Sequence, residues 1–217
     1  MRTDVWQHLH SDLTPGVQSD QETYAAALGA HQLLLPIRTL ADGQRGVASM
    51  ILNQASFAVL DAVADRLTDQ LRAHAPDIIV AVPTLGLPLA EAVARRLGHT
   101  RLVPLGTSKK FWYEEDLSVP LSSITSPGQG KRLYLDPRMK PLLTGRIAII
   151  DDVLSSGTSM AAVLALMEKA GITPTVIGAA MLQGDAWRDK VSALPVVGAF
   201  ATPILRKTDS GWGVPQA

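Results

Sequence analysis

Residues 147–159 place two adjacent carboxylates and a small hydroxyl-rich loop directly after an apolar run. The run at 147–150 predicts a buried strand, and Asp151 and Asp152 follow at its carboxyl end. Adjacent carboxylates can accept hydrogen bonds from vicinal hydroxyls or hold a hydrated magnesium ion. Residues 155–159 contain a glycine at a predicted helix start, where free N–H groups and the helix dipole favour phosphate. Sugar hydroxyls on one side and a phosphate on the other describe a ribose 5-phosphate.

Two further segments carry groups suited to anions. The apolar run at 78–82 leads into the turn at 83–86, and a predicted helix then points its first N–H groups toward the same sheet edge. The segment 108–113 is the strongest basic and aromatic cluster in the chain and includes Lys109 and Lys110. Simpler interpretations stay open, namely a plain strand-to-helix connection for the turn and a solvated basic surface for the lysines.

The elements that must position these segments alternate between strand and helix signals. This order predicts an α/β fold with a doubly wound, mainly parallel sheet. Strands are predicted at 78–82, 101–105, 147–150 and 175–182, with the last completing the sheet. Because the carboxyl ends of strands line the ligand crevice in such folds, we expect the three segments to converge on one edge.

A long polar stretch and an irregular N-terminal segment lie outside this alternation. Residues 106–130 are rich in Ser, Pro and Gly and too long for a mere connection, so we predict a mobile functional loop. Residues 1–53 contain several prolines and glycines and a short apolar run at 33–35 that does not fit the strand–helix alternation. We therefore predict a small N-terminal hood at 1–53 on a core at 54–217.

Composition limits the kinds of partner. The chain has 217 residues, of which 47% are apolar, and 20 basic residues balance 20 acidic ones. This balance provides no global positive field for nucleic acid, so an anionic ligand must be held locally. Cysteine is absent, which excludes disulfides and thiolate chemistry. No apolar run has the roughly 18 residues of a membrane span. We expect a cytoplasmic protein without nucleic-acid or membrane partners.

Residues 147–159 resemble the hallmark of the type I phosphoribosyltransferases, and among them the adenine phosphoribosyltransferase-like branch. That hallmark is an apolar strand, two acidic residues, two mostly apolar residues and a loop of small residues. The residues that match are Asp151, Asp152, Val153, Leu154, Ser155, Ser156, Gly157 and Ser159. Thr158 departs from the pattern, because many members carry a second glycine there. The resemblance is moderate over residues 80–159 and thin outside them.

This resemblance implies the type I phosphoribosyltransferase fold and its reaction. Ribose 5-phosphate would pass from 5-phosphoribosyl 1-pyrophosphate to a nucleobase, with a purine favoured, and pyrophosphate would be released. The hood would cover the base, with residues 33–39 as its candidate segment, and a homodimer is the expected assembly. Mg²⁺ is the implied cofactor.

The resemblance also assigns roles to individual residues. Asp151 and Asp152 would be catalytic, anchoring the ribose hydroxyls and holding Mg²⁺ through water. Lys109 and Lys110 would contact the departing pyrophosphate as the loop closes. Pyrophosphate would bind mainly to backbone N–H groups of Thr84, Leu85 and Gly86, since Leu85 stands where an arginine is common. The substrate's 5-phosphate would lie against the strand end and loop formed by Val153, Leu154, Ser155, Ser156, Gly157, Thr158 and Ser159.

Alternatives from other classes remain. A regulator of the same fold would bind 5-phosphoribosyl 1-pyrophosphate without transferring it, and both Leu85 and Thr158 favour this. A metal-dependent hydrolase would need further acidic ligands on neighbouring strands, and none is evident at Val82 or Leu105. A P-loop nucleotidase is excluded, because residues 128–131 lack the upstream glycine. The acids and serines can also be capping residues only.

Overall fold

The computed structural model describes residues 3–121 and 131–215. The strands, in chain order, are β1 (Leu9–His10), β2 (Gly16–Val17), β3 (Thr23–Leu28), β4 (His31–Thr39), β5 (Arg45–Ala48), β6 (Ile78–Ala81), β7 (Val103–Pro104), β8 (Ser118–Pro120), β9 (Arg132–Tyr134), β10 (Ile147–Leu154), β11 (Val176–Gln183), β12 (Val196–Thr202), β13 (Ile204–Thr208) and β14 (Gly211–Gly213). The α-helices are α1 (Phe57–Arg72), α2 (Gly86–Arg96), α3 (Thr158–Lys169) and α4 (Arg188–Val191).

The central sheet is parallel, with strand order β12-β11-β10-β6-β7. Its middle strand, β10, places Ile150 opposite Ala81 of β6 and Gly178 of β11. Ile149 and Ile150 are fully buried. Successive buried residues are required when both faces of a parallel sheet are covered. The predicted α/β, doubly wound sheet is confirmed.

Helices cover the two faces of this sheet. The buried residues Val63 of α1 and Leu89 of α2 belong to one hydrophobic cluster, and Val163 of α3 belongs to a second cluster on the other face. Ser56 caps α1, because its Oγ accepts a hydrogen bond from the Val59 N–H at 3.3 Å. Across residues 3–121 and 131–215, none of the helices has the length and apolar character to cross a bilayer.

The hood is an antiparallel sheet with strand order β14-β13-β5-β4-β3-β2, and β1 pairs with β4. In β4, Leu33 and Leu35 are fully buried in the cluster that also contains the α1 and α2 side chains. Residues from both ends of the chain form this sheet, because Ile204 of β13 pairs with Val47 of β5. The predicted boundary between residues 53 and 54 stays a prediction, and the pairing adds β13 and β14 to the hood sheet.

The prediction that residues 175–182 complete the central sheet is wrong. β12 lies beyond β11 and pairs with it in parallel, with Phe200 opposite Met181. Gly198 lies within β12. In the fold that glycine makes room for Leu182, whose Cγ would be 2.6 Å from a Cβ at position 198.

The predicted loop at 106–130 is partly regular. β8 and β9 form an antiparallel ribbon in which Ser118 lies opposite Tyr134, and a 3-10 turn, Glu115–Leu117, precedes it. Residues 122–130, which belong to the predicted mobile loop, lie outside the described residues.

Candidate functional site

The two adjacent aspartates lie inside β10 rather than after it. The strand was predicted to end at Ile150, but it continues to Leu154 because it keeps pairing with β11. On its other side β6 ends at Ala81, opposite Ile150. Asp151 and Asp152 therefore project from the carboxyl end of the middle strand, at the edge where α/β folds hold their ligands.

The turn that follows β6 lies directly against the first aspartate. A Cβ added to Gly86 would be 3.0 Å from Asp151 Cα and 3.2 Å from Asp151 Oδ1. The peptide bond between Pro83 and Thr84 is cis. α2 begins at Gly86, and its N-cap residue, Leu85, provides no side-chain cap. The structure thus brings the acid pair and the turn together, with the N-terminal N–H groups of α2 at the junction.

Burial determines the electrostatics of the pair. Asp151 is 7% exposed, and its Oδ1 accepts a hydrogen bond from the Asp152 N–H at 2.8 Å. Burial raises the pKa of both carboxyl groups above the ordinary value, and the neighbouring charge of Asp152 raises the pKa of Asp151 further. A cation or a set of hydroxyl donors at this position would therefore stabilise the ionised pair.

The loop after the acids is preorganised at the start of α3. Gly157 has a φ of 73°, in the left-handed region that glycine adopts without strain. Ser156 Oγ accepts a hydrogen bond from the Thr158 N–H at 3.3 Å and donates to Thr158 Oγ1 at 3.2 Å. Ser155 differs, because its Oγ donates to Gln183 Oε1 at 3.0 Å.

Gln183 is a residue of this site that the sequence did not indicate. Its side chain is buried, and its Nε2 donates to the Ala48 carbonyl oxygen at 2.9 Å. One amide group therefore joins the loop at Ser155 to β5 of the hood. The sequence feature that could have indicated Gln183 is its position as a polar residue at the end of the apolar strand β11, which pairs with the strand that contains the acids.

Trp187 also lies beside the loop. It is 4% exposed, and its Nε1 donates to the Gly184 carbonyl oxygen at 2.9 Å. Its Cα would be 3.1 Å from a Cβ at Gly157. Trp187 thus supports the loop from within the domain.

The basic and aromatic segment lies at the base of the β8–β9 ribbon. Lys109 Nζ is 2.9 Å from Glu115 Oε2, and Arg132 lies 3.2 Å from the other oxygen of that carboxylate. Within the described ranges no ion pair involves Lys110, and Phe111 is 97% exposed. The structure does not place either lysine at the acid pair, so their contact with pyrophosphate stays a prediction.

The donor set for a metal consists of the two aspartates. Among the described residues, no group of three or more His, Cys, Asp or Glu side chains could hold a metal ion. Mg²⁺ commonly uses one or two carboxylates and completes its shell with substrate phosphates and water. Asp151 and Asp152 fit this requirement, whereas a hydrolase that holds its metal by protein ligands alone requires more acids.

A comparison with protein families settles the relationship. The model of the phosphoribosyl transferase domain matches residues 48–199. The chain belongs to the phosphoribosyltransferase family. The matched range contains the acid pair, the turn at 83–86 and the loop at 155–159, and the predicted family resemblance is confirmed.

The curated relatives of this phosphoribosyltransferase-family chain include transferases named for different bases and a transcriptional regulator. They include an orotate phosphoribosyltransferase of Saccharophagus degradans, 28% identical over 54% of this chain and 48% of its own length. A hypoxanthine/guanine phosphoribosyltransferase of Methanococcus voltae is 32% identical over 50% and 54%. The transcriptional regulator GfcR of Halobacterium salinarum is 29% identical over 56% and 52%. The chain spans about half the length of these relatives.

Solved structures share the fold. The adenine phosphoribosyltransferase of Giardia lamblia, complexed with 9-deazaadenine, matches with a TM-score of 0.58 and 22% identity, over 72% of this chain and 86% of that one. The orotate phosphoribosyltransferase of Aeropyrum pernix matches with a TM-score of 0.53 and 22% identity, over 76% and 85%. At this identity the likeness concerns the fold, and it confirms the type I arrangement.

Proposed function

We propose that the chain transfers ribose 5-phosphate from 5-phosphoribosyl 1-pyrophosphate to a nucleobase and releases pyrophosphate. The observation that carries this proposal is the approach of Gly86 to Asp151. It joins the helix start suited to pyrophosphate to the acids suited to ribose hydroxyls, and β10 leads from those acids into the loop suited to the 5-phosphate. Three subsites in this order match a ribose with phosphate groups at both ends.

The reaction follows from these positions. The C1–O bond breaks and its electron pair leaves with pyrophosphate, which places positive charge on the ribose ring. A ring nitrogen of the base then bonds to C1, and the proton that this nitrogen carried passes to pyrophosphate or solvent. Asp151 and Asp152 accept hydrogen bonds from the ribose hydroxyls, and their negative charge stabilises the developing positive charge. The N-terminal N–H groups of α2 and α3 hold the two phosphate groups in place. Because alignment of the reactants promotes the transfer, the protein needs no covalent nucleophile of its own.

Asp151 and Asp152 are proposed to hold Mg²⁺ through water. When bound, the ion supplies positive charge that makes pyrophosphate a better leaving group. Burial raises both carboxyl pKa values and so disfavours the ionised pair, and a bound cation would offset that effect by favouring the ionised forms.

The acceptor is proposed to be a purine. The curated relatives named for hypoxanthine and guanine favour this choice, and the relative named for orotate keeps a pyrimidine among the candidates. β4 of the hood contains the segment at 33–39 that we propose covers the base. A cytoplasmic homodimer without nucleic-acid partners completes the proposal, in line with the balanced charge of the chain.

A regulator that binds the same donor without transfer is the second candidate. It is favoured by Leu85, which provides no cation at the pyrophosphate turn, and by the similarity to a transcriptional regulator. The distinguishing experiment supplies 5-phosphoribosyl 1-pyrophosphate and Mg²⁺ with adenine, hypoxanthine, guanine or orotate and measures pyrophosphate. We expect release with at least one base. Donor binding without release for any base would favour the regulator.

A further inference from the structure

A short helix packs directly on the loop that begins α3. A Cβ at Gly157 would be 3.1 Å from Trp187 Cα and 3.2 Å from Lys190 Cβ, so α4 and the loop backbone are in contact. This contact fixes where the exposed side chain of Lys190 can reach. The amino group of Lys190 donates a hydrogen bond to Thr158 Oγ1 at 2.6 Å.

The partner of this lysine is unusual, because it is a neutral hydroxyl. Within residues 3–121 and 131–215, no carboxylate forms an ion pair with Lys190. The nearby Asp185 is paired with Arg188 at 2.8 Å instead. An ammonium group thus lies at the proposed phosphate loop with its charge uncompensated.

Thr158 organises this arrangement. Its hydroxyl oxygen accepts hydrogen bonds from both Ser156 Oγ and Lys190 Nζ. Because a hydroxyl has two acceptor lone pairs and one proton, the remaining capacity of Thr158 is to donate. The hydroxyl proton, the lysine charge and the N–H groups of α3 are therefore combined at one position, and all three favour a phosphate monoester.

We propose that Lys190 is a substrate-binding residue that contacts the 5-phosphate of the ribose donor, with Thr158 as its positioning residue. This inference rests on the proposed function and extends it to a residue outside the strand-and-loop segment. It also gives Thr158 a purpose at a position where a second glycine is common in the family. The threonine supplies the hydroxyl that a glycine lacks.

The test compares Lys190→Gln with wild-type protein by titration calorimetry, using 5-phosphoribosyl 1-pyrophosphate with Mg²⁺, ribose 5-phosphate and pyrophosphate as separate probes. We expect Lys190→Gln to weaken binding of the two phosphate monoesters about three- to tenfold, because the lost hydrogen bond is charged but partly screened by solvent. Pyrophosphate affinity should stay unchanged. Lys190→Arg should keep more of the affinity than Lys190→Gln.

Lys140→Gln is the matched control. Lys140 is exposed, lies in the connection before the amino end of β10, and loses the same single charge on substitution. It should leave all three affinities unchanged. The Lys190→Gln effect should also shrink in about 1 M salt, where charges are screened within about 3 Å.

A double-mutant cycle tests the part assigned to Thr158. Thr158→Val should weaken ribose 5-phosphate binding, and adding it to Lys190→Gln should cost less than the sum of the single effects, because both remove the same contact.

Failure of the Lys190 role and failure of the proposed function give different binding results. Equal binding of ribose 5-phosphate by Lys190→Gln and wild-type protein would overturn the role of Lys190 alone, and so would an equal loss for pyrophosphate. Wild-type protein that binds none of the three probes would overturn the proposed function as well.

Discussion

Gly86 and Asp151 approach so closely that no side chain fits between them. A Cβ at position 86 would lie 3.0 Å from the Asp151 Cα, which belongs to the middle strand of the sheet and has little freedom to move. The start of α2 is therefore fixed relative to the acid pair by packing. If the proposed function is correct, this contact sets the spacing between the leaving group and the ribose.

A side chain at position 86 would disrupt this contact. Gly86→Ala overpacks the site at a cost of about 1–3 kcal/mol, and the roughly 1 kcal/mol that alanine gains over glycine in a helix offsets part of it, so the variant should be less stable by up to about 2 kcal/mol. Pyrophosphate release should fall at least about tenfold, because small misplacements of reacting groups are costly. Denaturant unfolding and a pyrophosphate assay measure the two effects.

Gly178→Ala is the control for that substitution. Gly178 lies in β11, and a Cβ there would be 3.4 Å from Leu67 Cδ1, an ordinary contact with the end of a flexible side chain. The variant should unfold close to the wild-type midpoint. Equal effects of both substitutions would refute the special role of the contact at Gly86.

The second prediction concerns the pH dependence of stability. Burial and the charge of Asp152 raise the pKa of Asp151 in the folded state, so this carboxyl group costs stability as pH rises through that raised pKa. Asp151→Asn does not titrate and keeps an oxygen for the Asp152 N–H. The variant should therefore have a higher Tm than wild-type protein at about pH 7, and the difference should narrow toward about pH 4. Thermal denaturation across this range measures it.

Asp136→Asn should show the opposite sign. Its hydrogen-bonded partner Arg138 holds the pKa of Asp136 below the ordinary value, and the Trp112 N–H adds to this effect. A lowered pKa contributes stability that is present above the unfolded-state pKa and lost as pH falls. Asp136→Asn should lower the Tm at about pH 7 and converge with wild-type protein in acid. The same direction for both asparagine variants would contradict the electrostatic account.

The third prediction concerns the buried amide that joins the hood to the loop. Gln183→Leu leaves the Ala48 carbonyl and the Ser155 hydroxyl without their partner, at a cost of about 1–3 kcal/mol. Because Ser155 belongs to the proposed phosphate loop, the KM for 5-phosphoribosyl 1-pyrophosphate should rise as well. Unfolding experiments and steady-state kinetics measure the two quantities.

Thr202→Val serves as its control. Thr202 lies opposite Gln183 in the sheet and is also buried, but its hydroxyl donates only a weak hydrogen bond to the Met181 sulfur at 3.4 Å. This variant should keep the wild-type KM. A Gln183→Leu protein with unchanged KM would remove the proposed link between the hood and the loop.

Lys109 forms an ion pair with Glu115 at 2.9 Å. Glu115 and Lys109 are exposed, and Arg132, the other partner of Glu115, is about one-third exposed, so Glu115→Gln should change the Tm little. Lys109→Gln should slow pyrophosphate release about tenfold or more if the lysine stabilises the leaving group, since such charge stabilisation is a large catalytic contribution. Wild-type turnover in Lys109→Gln would show that the lysine is only part of a solvated surface.

The local sequence was sufficient to predict the part of the site that is contiguous along the chain. Asp151, Asp152 and the loop follow one another, so their order along the chain already describes their order in space. The strand end was misplaced at Ile150, because two acids after an apolar run normally indicate the end of a buried strand. Pairing with β11 overrides that preference.

Contacts between distant segments could not be predicted in the same way. Lys190 meets Thr158 across 32 residues, and Gln183 meets Ala48 across 135. Neither pair has a local pattern, because the contacts exist only once α4 and β5 have packed against the loop and strand. The pairing of β13 with β5 of the hood could not be predicted for the same reason, because it also joins distant segments.

The most direct test measures binding of 5-phosphoribosyl 1-pyrophosphate with Mg²⁺ to wild-type protein and to the Asp151→Asn, Asp152→Asn double variant, with folding of both checked by circular dichroism. We expect saturable binding by the wild-type protein and a loss of at least about a hundredfold in the double variant, since two charged contacts are removed. Equal affinity of the two folded proteins, or no binding by the wild-type protein, would contradict this expectation.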